Sequence, residues 1–379
     1  MTTTAHATTD LANDGGTGAS FEVDWPLHSC DDHMDLPSIP TDLWTTRMRE
    51  TDPARVPHVE VVDGRTMWVC DGSVLGLSGP TPSAHTCYER GGVEQDGFRP
   101  SNPALRLQDM DRDGVASSVI YGPSVMGLKI PDDALQAEAY RCWNDWAAEF
   151  NRVDPNRLCV LARLPSRRPE DATAEIERVA ALGHRGAVLD PVEALVGEPE
   201  WEPFWAAAEA VGLPISYHLG GGSNRAVYQM GTWREPVFAT VSPMQLDEAV
   251  AETMFSGVLE RHPGVRLVLA EAGLGWLPYI IARMDHEWVK HGNIVGKLAT
   301  PPSELMRRQV WITFEEEHHA DVFISMIGAD RVMWACDYPH PDSTWPDSKG
   351  TIARDMGMMA RDDVRRITSD NCRALYAFD

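Results

Sequence analysis

Short apolar runs recur along this chain, and most are followed by a stretch in which apolar residues return every three or four positions. The runs are PLHSC (26–30), ASSVIY (116–121), LCVLAR (158–163), GAVL (186–189), PISYH (214–218), VRLVLAE (265–271), QVWITF (309–314) and RVMWAC (331–336). Their length and their Val, Ile and Leu content predict strands buried on both faces. Between them, ALQAEAYRCWNDWAAEF places Ala139, Trp143, Trp146 and Phe150 at steps of four, three and four, while Glu138, Arg141 and Glu149 fall elsewhere. That is the stripe of a helix covering a sheet. EDATAEIERVAALG and PFWAAAEAVGLP repeat the pattern, and each reaches a glycine that stops a helix.

Strand followed by helix, repeated through eight units, predicts an α/β fold of the (β/α)8 TIM barrel type. A doubly wound open sheet would carry a glycine-rich phosphate turn after its first strand, and SCDDHMDLP contains no glycine. A long insertion after the first strand, about residues 36–102, is rich in Pro, Gly and Asp. Asp63-Gly64 between two apolar runs predicts a hairpin within it. An insertion at this point lies on the face where barrel enzymes work, which makes it a candidate lid. The first 20 residues, rich in Thr, Ala, Gly and Asp, lack periodicity and read as a loosely attached tail before a single domain over 21–379.

Composition narrows the partners more than the fold. The chain has 379 residues, 43% of them hydrophobic, and a formal net charge of −24. Such an anion repels nucleic acid and acidic membrane surfaces, so neither is expected as a partner. Seven cysteines without metal-finger spacing, several inside apolar runs, read as reduced thiols of a cytoplasmic protein. No apolar run is long enough to span a bilayer.

The chemistry is expected where the strands end, because a parallel barrel brings all its strand C-termini to one face. The first strand ends in Asp31-x-His33, the fifth in His218, the sixth in Glu271 and the eighth in Asp337. Two imidazoles and two or three carboxylates at such tips form a divalent-cation ligand set, since an ion offsets the repulsion of gathered carboxylates. Taken singly, each has a plainer reading. A strand-end histidine is commonly hydrogen bonded, Asp-x-His can be turn chemistry, and Glu271 can cap the following helix.

These motifs resemble the amidohydrolase superfamily, in particular the branch holding aminocarboxymuconate-semialdehyde decarboxylase and the resorcylate-type aromatic acid decarboxylases. SCDDHMDLP is similar to the first-strand metal motif, LPISYHLGGG to the fifth strand and MWACDYPH to the eighth-strand signature. The resemblance extends from His28 to the end of the chain. It implies Asp31, His33, His218 and Asp337 as ligands of one Zn²⁺ or Mn²⁺, with the Asp-x-His variant moving the balance toward manganese. It also implies a small-molecule substrate and a homodimer. Several relatives carry a catalytic histidine where this chain has Glu271, which leaves Glu271 as a proton donor, a proton acceptor or a fifth ligand.

The reaction expected is metal-dependent, non-oxidative decarboxylation of an unsaturated or aromatic carboxylic acid, with Asp337 and Glu271 as catalytic groups. Hydrolysis of a small amide, lactone or imide is the alternative, and a non-catalytic binding or scaffold barrel is the third reading. Arg47 is the candidate for holding a substrate carboxylate, with Arg225 as runner-up, and His340 is placed near the substrate. In FEEEHHAD, consecutive side chains diverge, so one of Glu315 and Glu316 is expected to face the pocket and the others solvent. The loop aromatics Trp44, Trp68, Tyr121, Tyr228, Trp233 and Trp345 fit either a flat apolar ligand or packing.

Overall fold

The computed structural model describes residues 22–94, 98–123, 129–191, 195–220, 231–292 and 298–379. The predicted tail, Arg225 and Tyr228 lie outside the described residues. The first strand, β1, is Leu27–His33, and an antiparallel sheet follows it: β2 (His58–Val62), β3 (Arg65–Cys70) and β4 (Ser73–Leu77). Then come β5 (Val115–Tyr121), β6 (Leu158–Val160), β7 (Ala162–Arg163), β8 (Ala187–Val188), β9 (Ile215–His218), β10 (Leu267–Ala270), β11 (Val310–Phe314) and β12 (Val332–Trp334).

Parallel pairing runs β1-β5-β6 in one sheet and β7-β8-β9-β10-β11-β12 in another. The two are one barrel. β6 and β7 are a single strand around Leu161, whose N–H donates to Ile120 O at 2.9 Å while Ala162 N–H donates to Gly186 O at 3.2 Å. At the other seam Asp337 N–H donates to Asp31 O at 2.9 Å, and His33 N–H to Tyr338 O at 2.7 Å. All eight expected strands are present in the expected order.

Alternation sorts the side chains. Cys30, Val119, Tyr121, Cys159, Leu161, Val188, Val268, Ala270 and Met333 fill the interior, joined by Cys372, Leu375, Tyr376 and Phe378 of the C-terminal segment. Phe378 lies against His28 near the start of β1, with ring centroids 6.0 Å apart, so this segment plugs the end opposite the strand tips. Val160, Leu267, Leu269, Ile312, Val332 and Trp334 face outward against the helices. The helix Asp133–Asn151 buries Ala139, Trp143 and Phe150, and Asp132 accepts from Leu135 N–H at its start. The helices Pro169–Leu182 and Glu202–Val211 end at Gly183 and Gly212, whose φ values of 91° and 68° suit glycine.

The predicted hairpin is β2-β3, turning at Asp63 and Gly64 with φ of 50° and 74°. A second turn at Asp71 and Gly72 adds β4, which periodicity alone did not reveal. Trp68 docks this sheet: its Nε1–H donates to Leu36 O at 2.9 Å, and its ring meets Trp44 edge-on at 5.0 Å. The insertion is thereby fixed to the segment leaving β1, three residues past His33. All seven cysteines are free and buried. Among the described residues no helix is long and apolar enough to cross a membrane.

Candidate active site

Simple alternation along β1 would point Cys30 and Asp32 into the barrel and Asp31 away from it. The pairing with β5 slips, however: Ser29 faces Ser118 and Asp32 faces Ile120, leaving one extra residue on β1. This bulge re-aims the strand end. Asp31 and His33 turn inward, and Asp32 turns out toward Arg106 and Ser118.

Glu271 needs a different device. Ala270 faces inward, so the next residue should face the helices, but Glu271 has a φ of 50°, which swings its carboxylate back over the mouth. Asp337 likewise sits at φ 60° just past β12. Non-glycine residues in this left-handed region cost about 1 kcal/mol or more, and here they occupy two strand tips of one cluster.

The cluster is tight. His33 Nε2 lies 3.0 Å from Asp337 Oδ1, 3.5 Å from Asp31 Oδ1 and 3.6 Å from Glu271 Oε2. His218 Nε2 lies 3.5 Å from Asp31 Oδ1 and 3.3 Å from Glu271 Oε2. Asp31 Oδ1, His33 Nε2, His218 Nε2 and Asp337 Oδ1 are all buried and lack a hydrogen-bond partner among the described residues. Buried polar atoms are ordinarily paired. Asp31, His33 and His218 bring ligand atoms within 4.8 Å of one another, and His33 and Asp337 do so with Glu271 and His340, so His33 joins two adjoining groups.

Their outer atoms are mostly anchored. His218 Nδ1–H donates to Leu219 O at 2.6 Å, which turns Nε2 toward the cluster. Asp31 Oδ2 accepts from the Thr313 hydroxyl at 2.9 Å. His340 Nδ1 stands 2.9 Å from both Asp337 oxygens and is aligned for a hydrogen bond with Oδ2. Its Nε2 is 2.8 Å from Asp35 Oδ2.

This donor set could hold a divalent cation. Ligands bound 2.0–2.2 Å from a common ion lie about 3.0–3.5 Å from one another, and the His33–Asp337, His33–Asp31 and His218–Asp31 pairs fall in that range. Electrostatics agree before any ion is added. Burial opposes ionisation of Asp337, yet His340 and His33 hold its pKa down at about 2. Burial and then Asp337 push Glu271 up to about 7 against the pull of the histidines. Burial disfavours the charged form of His218, but Asp31 and Glu271 raise it to about 9. Two carboxyls in one site are thus driven apart, one ionised and one able to carry a proton near neutrality.

A model of the Amidohydrolase family matches residues 58–378. The chain belongs to the Amidohydrolase family. It is an enzyme of the amidohydrolase-related type. Over 291 residues this amidohydrolase is 27% identical to a gamma-resorcylate decarboxylase of Rhizobium sp. (strain MTP-10005), an alignment covering 69% of this chain and 85% of the relative. An amidohydrolase from Mycobacterium avium subsp. paratuberculosis K-10 superposes with a TM-score of 0.77 at 18% identity, over 93% of this chain and 98% of the other. A dihydroxybenzoic acid decarboxylase from Polaromonas sp. JS666, solved with bound manganese and the inhibitor 2-nitroresorcinol, gives 0.59 at 20% identity, over 78% and 93%. The structural likenesses establish the barrel as this family's fold.

Within the amidohydrolase mouth, Glu315 is the member of FEEEHHAD that faces the cluster, in ligand range of Asp337 and Asp342. Glu316 instead pairs with Arg354 at 3.0 Å. Glu317 departs from the expectation of a solvated side chain. It accepts from Leu274 N–H and Gly275 N–H at 2.5 and 2.7 Å, fixing the loop after β10.

Arg47 is a correction. Its guanidinium forks onto Glu149 at 3.1 and 2.6 Å, in the last turn of the helix Asp133–Asn151, and is not brought to the strand tips. Trp44, Trp68 and Trp345 are buried packing residues, and Trp233 is exposed. Tyr121 does reach the cluster, with its ring 4.8 Å from that of His218. Sequence reasoning missed Asp35 and Thr313; Thr313 shares the inward parity of Glu315, which was the available signal.

Proposed function

We propose that this protein is a metal-dependent, non-oxidative decarboxylase of an aromatic or unsaturated carboxylic acid. Asp31, His33, His218 and Asp337 hold one divalent cation, Mn²⁺ or Zn²⁺. The observation that carries the reading is four buried ligand atoms, unpartnered among the described residues, at the barrel mouth, with His33 in ligand range of the other three residues. Similarity to a gamma-resorcylate decarboxylase supports the reaction class.

When bound, the ion supplies a positive centre that polarises a substrate oxygen next to the carboxylate. Glu271, a carboxyl whose pKa burial and Asp337 raise before any ion is added, is the group we assign to hold a proton and deliver it to the carbon bearing that carboxylate. The carbon–carbon bond then breaks, its electron pair returns to the substrate, and CO₂ departs; one proton has replaced one CO₂. Asp337 stays ionised through this exchange, and Tyr121 walls the site beside His218. Seven buried thiols fit a cytoplasmic protein, and a homodimer is the assembly we infer from family resemblance.

Hydrolysis of a small neutral amide, lactone or imide is the second reading, favoured by one observation. Glu271, Glu315 and Asp342 stand close to Asp337, and Arg47 is committed to Glu149, so Arg47 is not free to hold a substrate carboxylate and a neutral substrate suits the mouth. The deciding assay follows CO₂ release and ¹⁸O incorporation from labelled water on hydroxybenzoates, muconate-like acids and lactones, with metal content measured in parallel. CO₂ release lost on chelation and restored by Mn²⁺ is expected. Turnover confined to ¹⁸O-labelled hydrolysis products would replace the first reading with the second.

A further inference from the structure

Asp35 and His340 are left over by this mechanism. Neither belongs to the proposed ligand set; His340 lies in ligand range of His33, Glu271 and Asp337, but its two nitrogens are engaged by Asp337 and Asp35. The His340 ring stacks on the His33 ring with centroids 4.0 Å apart and planes 26° from parallel. Its two nitrogens span from Asp337 to Asp35, as described above. Each end is pinned by the main chain. His340 N–H donates to Asp337 O at 2.9 Å, and Ser38 donates to Asp35 O through its N–H at 2.9 Å and its hydroxyl at 2.8 Å.

The two ligand-type histidines differ in how they are held. His218 is oriented by its Nδ1–H bond to Leu219 O, whereas His33 Nδ1 has no hydrogen-bond partner among the described residues and lies 3.8 Å from Asp35 Oδ1. Something else must fix the His33 ring, and the stacked His340 ring is in contact with its face. The Asp337 carboxylate would rotate freely about its last bond if His340 did not engage Oδ2 and leave Oδ1 turned to the cluster.

We propose that Asp35 and His340 form a positioning clamp, in which His340 fixes the Asp337 carboxylate and the His33 ring together for a divalent cation, and Asp35 holds His340 in place. The clamp acts through two ligands at once. It rests on the metal reading above.

The test strips the full-length protein with chelator and titrates it with Mn²⁺, reading free ion by electron paramagnetic resonance. Partners that orient metal ligands typically set affinity by about 10- to 100-fold, so H340F, which keeps a stacking ring but no donor, is expected to weaken binding by that factor. H340Q, which keeps an amide donor, recovers part of the loss. D35N, at a position 40% exposed and thus tolerant of substitution, weakens binding about 10-fold alone and adds nothing in the H340F background. Wild-type affinity in both D35N and H340F would overturn the clamp and leave the metal site standing. No Mn²⁺ binding by the wild type would overturn both. Equal, additive losses from D35N and H340F would overturn the coupling.

Discussion

Adjacent aspartates in β1 meet opposite environments at equal burial. Asp31 faces the barrel mouth with one oxygen held by Thr313 and the other unpartnered. Asp32 faces the helix Pro103–Asp113, and both its oxygens are used. Oδ1 accepts from the Ser29 hydroxyl at 2.8 Å and from Tyr338 N–H at 3.3 Å, while Oδ2 accepts from the Ser118 hydroxyl beside Arg106. The outer network continues through Asp109, which takes a forked Arg99 at 2.6 and 2.7 Å and the Tyr338 hydroxyl at 2.5 Å. Buried charge alone therefore does not mark a site here. What separates the mouth from the outer network is that its unpartnered carboxylate oxygens and ring nitrogens lie in ligand range of one another, whereas the outer network's unpartnered Arg106 Nε is a donor in no such group.

Breaking each half in turn should give contrasting metal-binding phenotypes. Asp31→Asn removes a ligand charge from the mouth and is expected to lower kcat/KM by about 1,000-fold or more, with Mn²⁺ binding lost. The unfolding free energy of the chelated protein should fall at neutral pH, because protonated His218 loses the carboxylate that chiefly raises it. Asp32→Ala leaves the Arg106 guanidinium buried without its carboxylate and should cost about 3–5 kcal/mol in stability by urea denaturation. Whatever Asp32→Ala protein remains folded should bind Mn²⁺ as the wild type does. Loss of metal binding with unchanged stability in Asp32→Ala would erase the distinction.

The split between these aspartates was not legible in the sequence, although the cluster was. The eight apolar runs located the strands, and reading their last residues named Asp31, His33, His218, Glu271 and Asp337. The devices that aim them were hidden. The bulge after Ser29 leaves no mark in DDHMD, and alternation assigns Glu271 to the wrong face until its positive φ is seen. Pairings across the chain were equally silent: Asp35 meets His340 at a separation of 305 residues, and Arg47 meets Glu149 at 102. Local chemistry is written in a strand tip, whereas the partner that claims a side chain depends on packing of remote elements.

The same contrast should appear in the pH dependence of the chelated protein. Glu271 is raised from an ordinary 4.5 to about 7, so its contribution to stability is full below 4.5 and is lost as pH rises through 7. His218 is raised from 6.5 to about 9, so its contribution is lost between those values. Asp337, lowered from 3.8 to about 2, works in the reverse direction and changes nothing above pH 5. Urea denaturation in chelator should therefore show stability falling from pH 5 to 9, by on the order of 3 kcal/mol for each of Glu271 and His218, with His33, His340 and Glu315, also raised, acting in the same direction. Adding Mn²⁺ should reverse the trend, because the ion displaces those protons. A flat profile in chelator would mean that the mouth does not concentrate charge as described.

The smallest effect belongs to Arg47, and it sharpens the line between mouth and exterior. Its pair with Glu149 is bidentate but partly solvated, with side chains 27% and 53% exposed. Exposed pairs contribute about 0.2–1 kcal/mol, so Arg47→Ala should lower stability by no more than that. Neither kcat nor KM should move, since the guanidinium is committed to the last turn of the helix Asp133–Asn151. Were Arg47 instead to leave Glu149 and grip a substrate carboxylate, losing its forked hydrogen bonds would raise KM by about 10-fold or more. Steady-state kinetics of Arg47→Ala beside Glu149→Ala separates the cases: an arginine recruited to substrate would be freed by Glu149→Ala and lower KM, whereas one serving only the helix leaves both variants with wild-type kinetics.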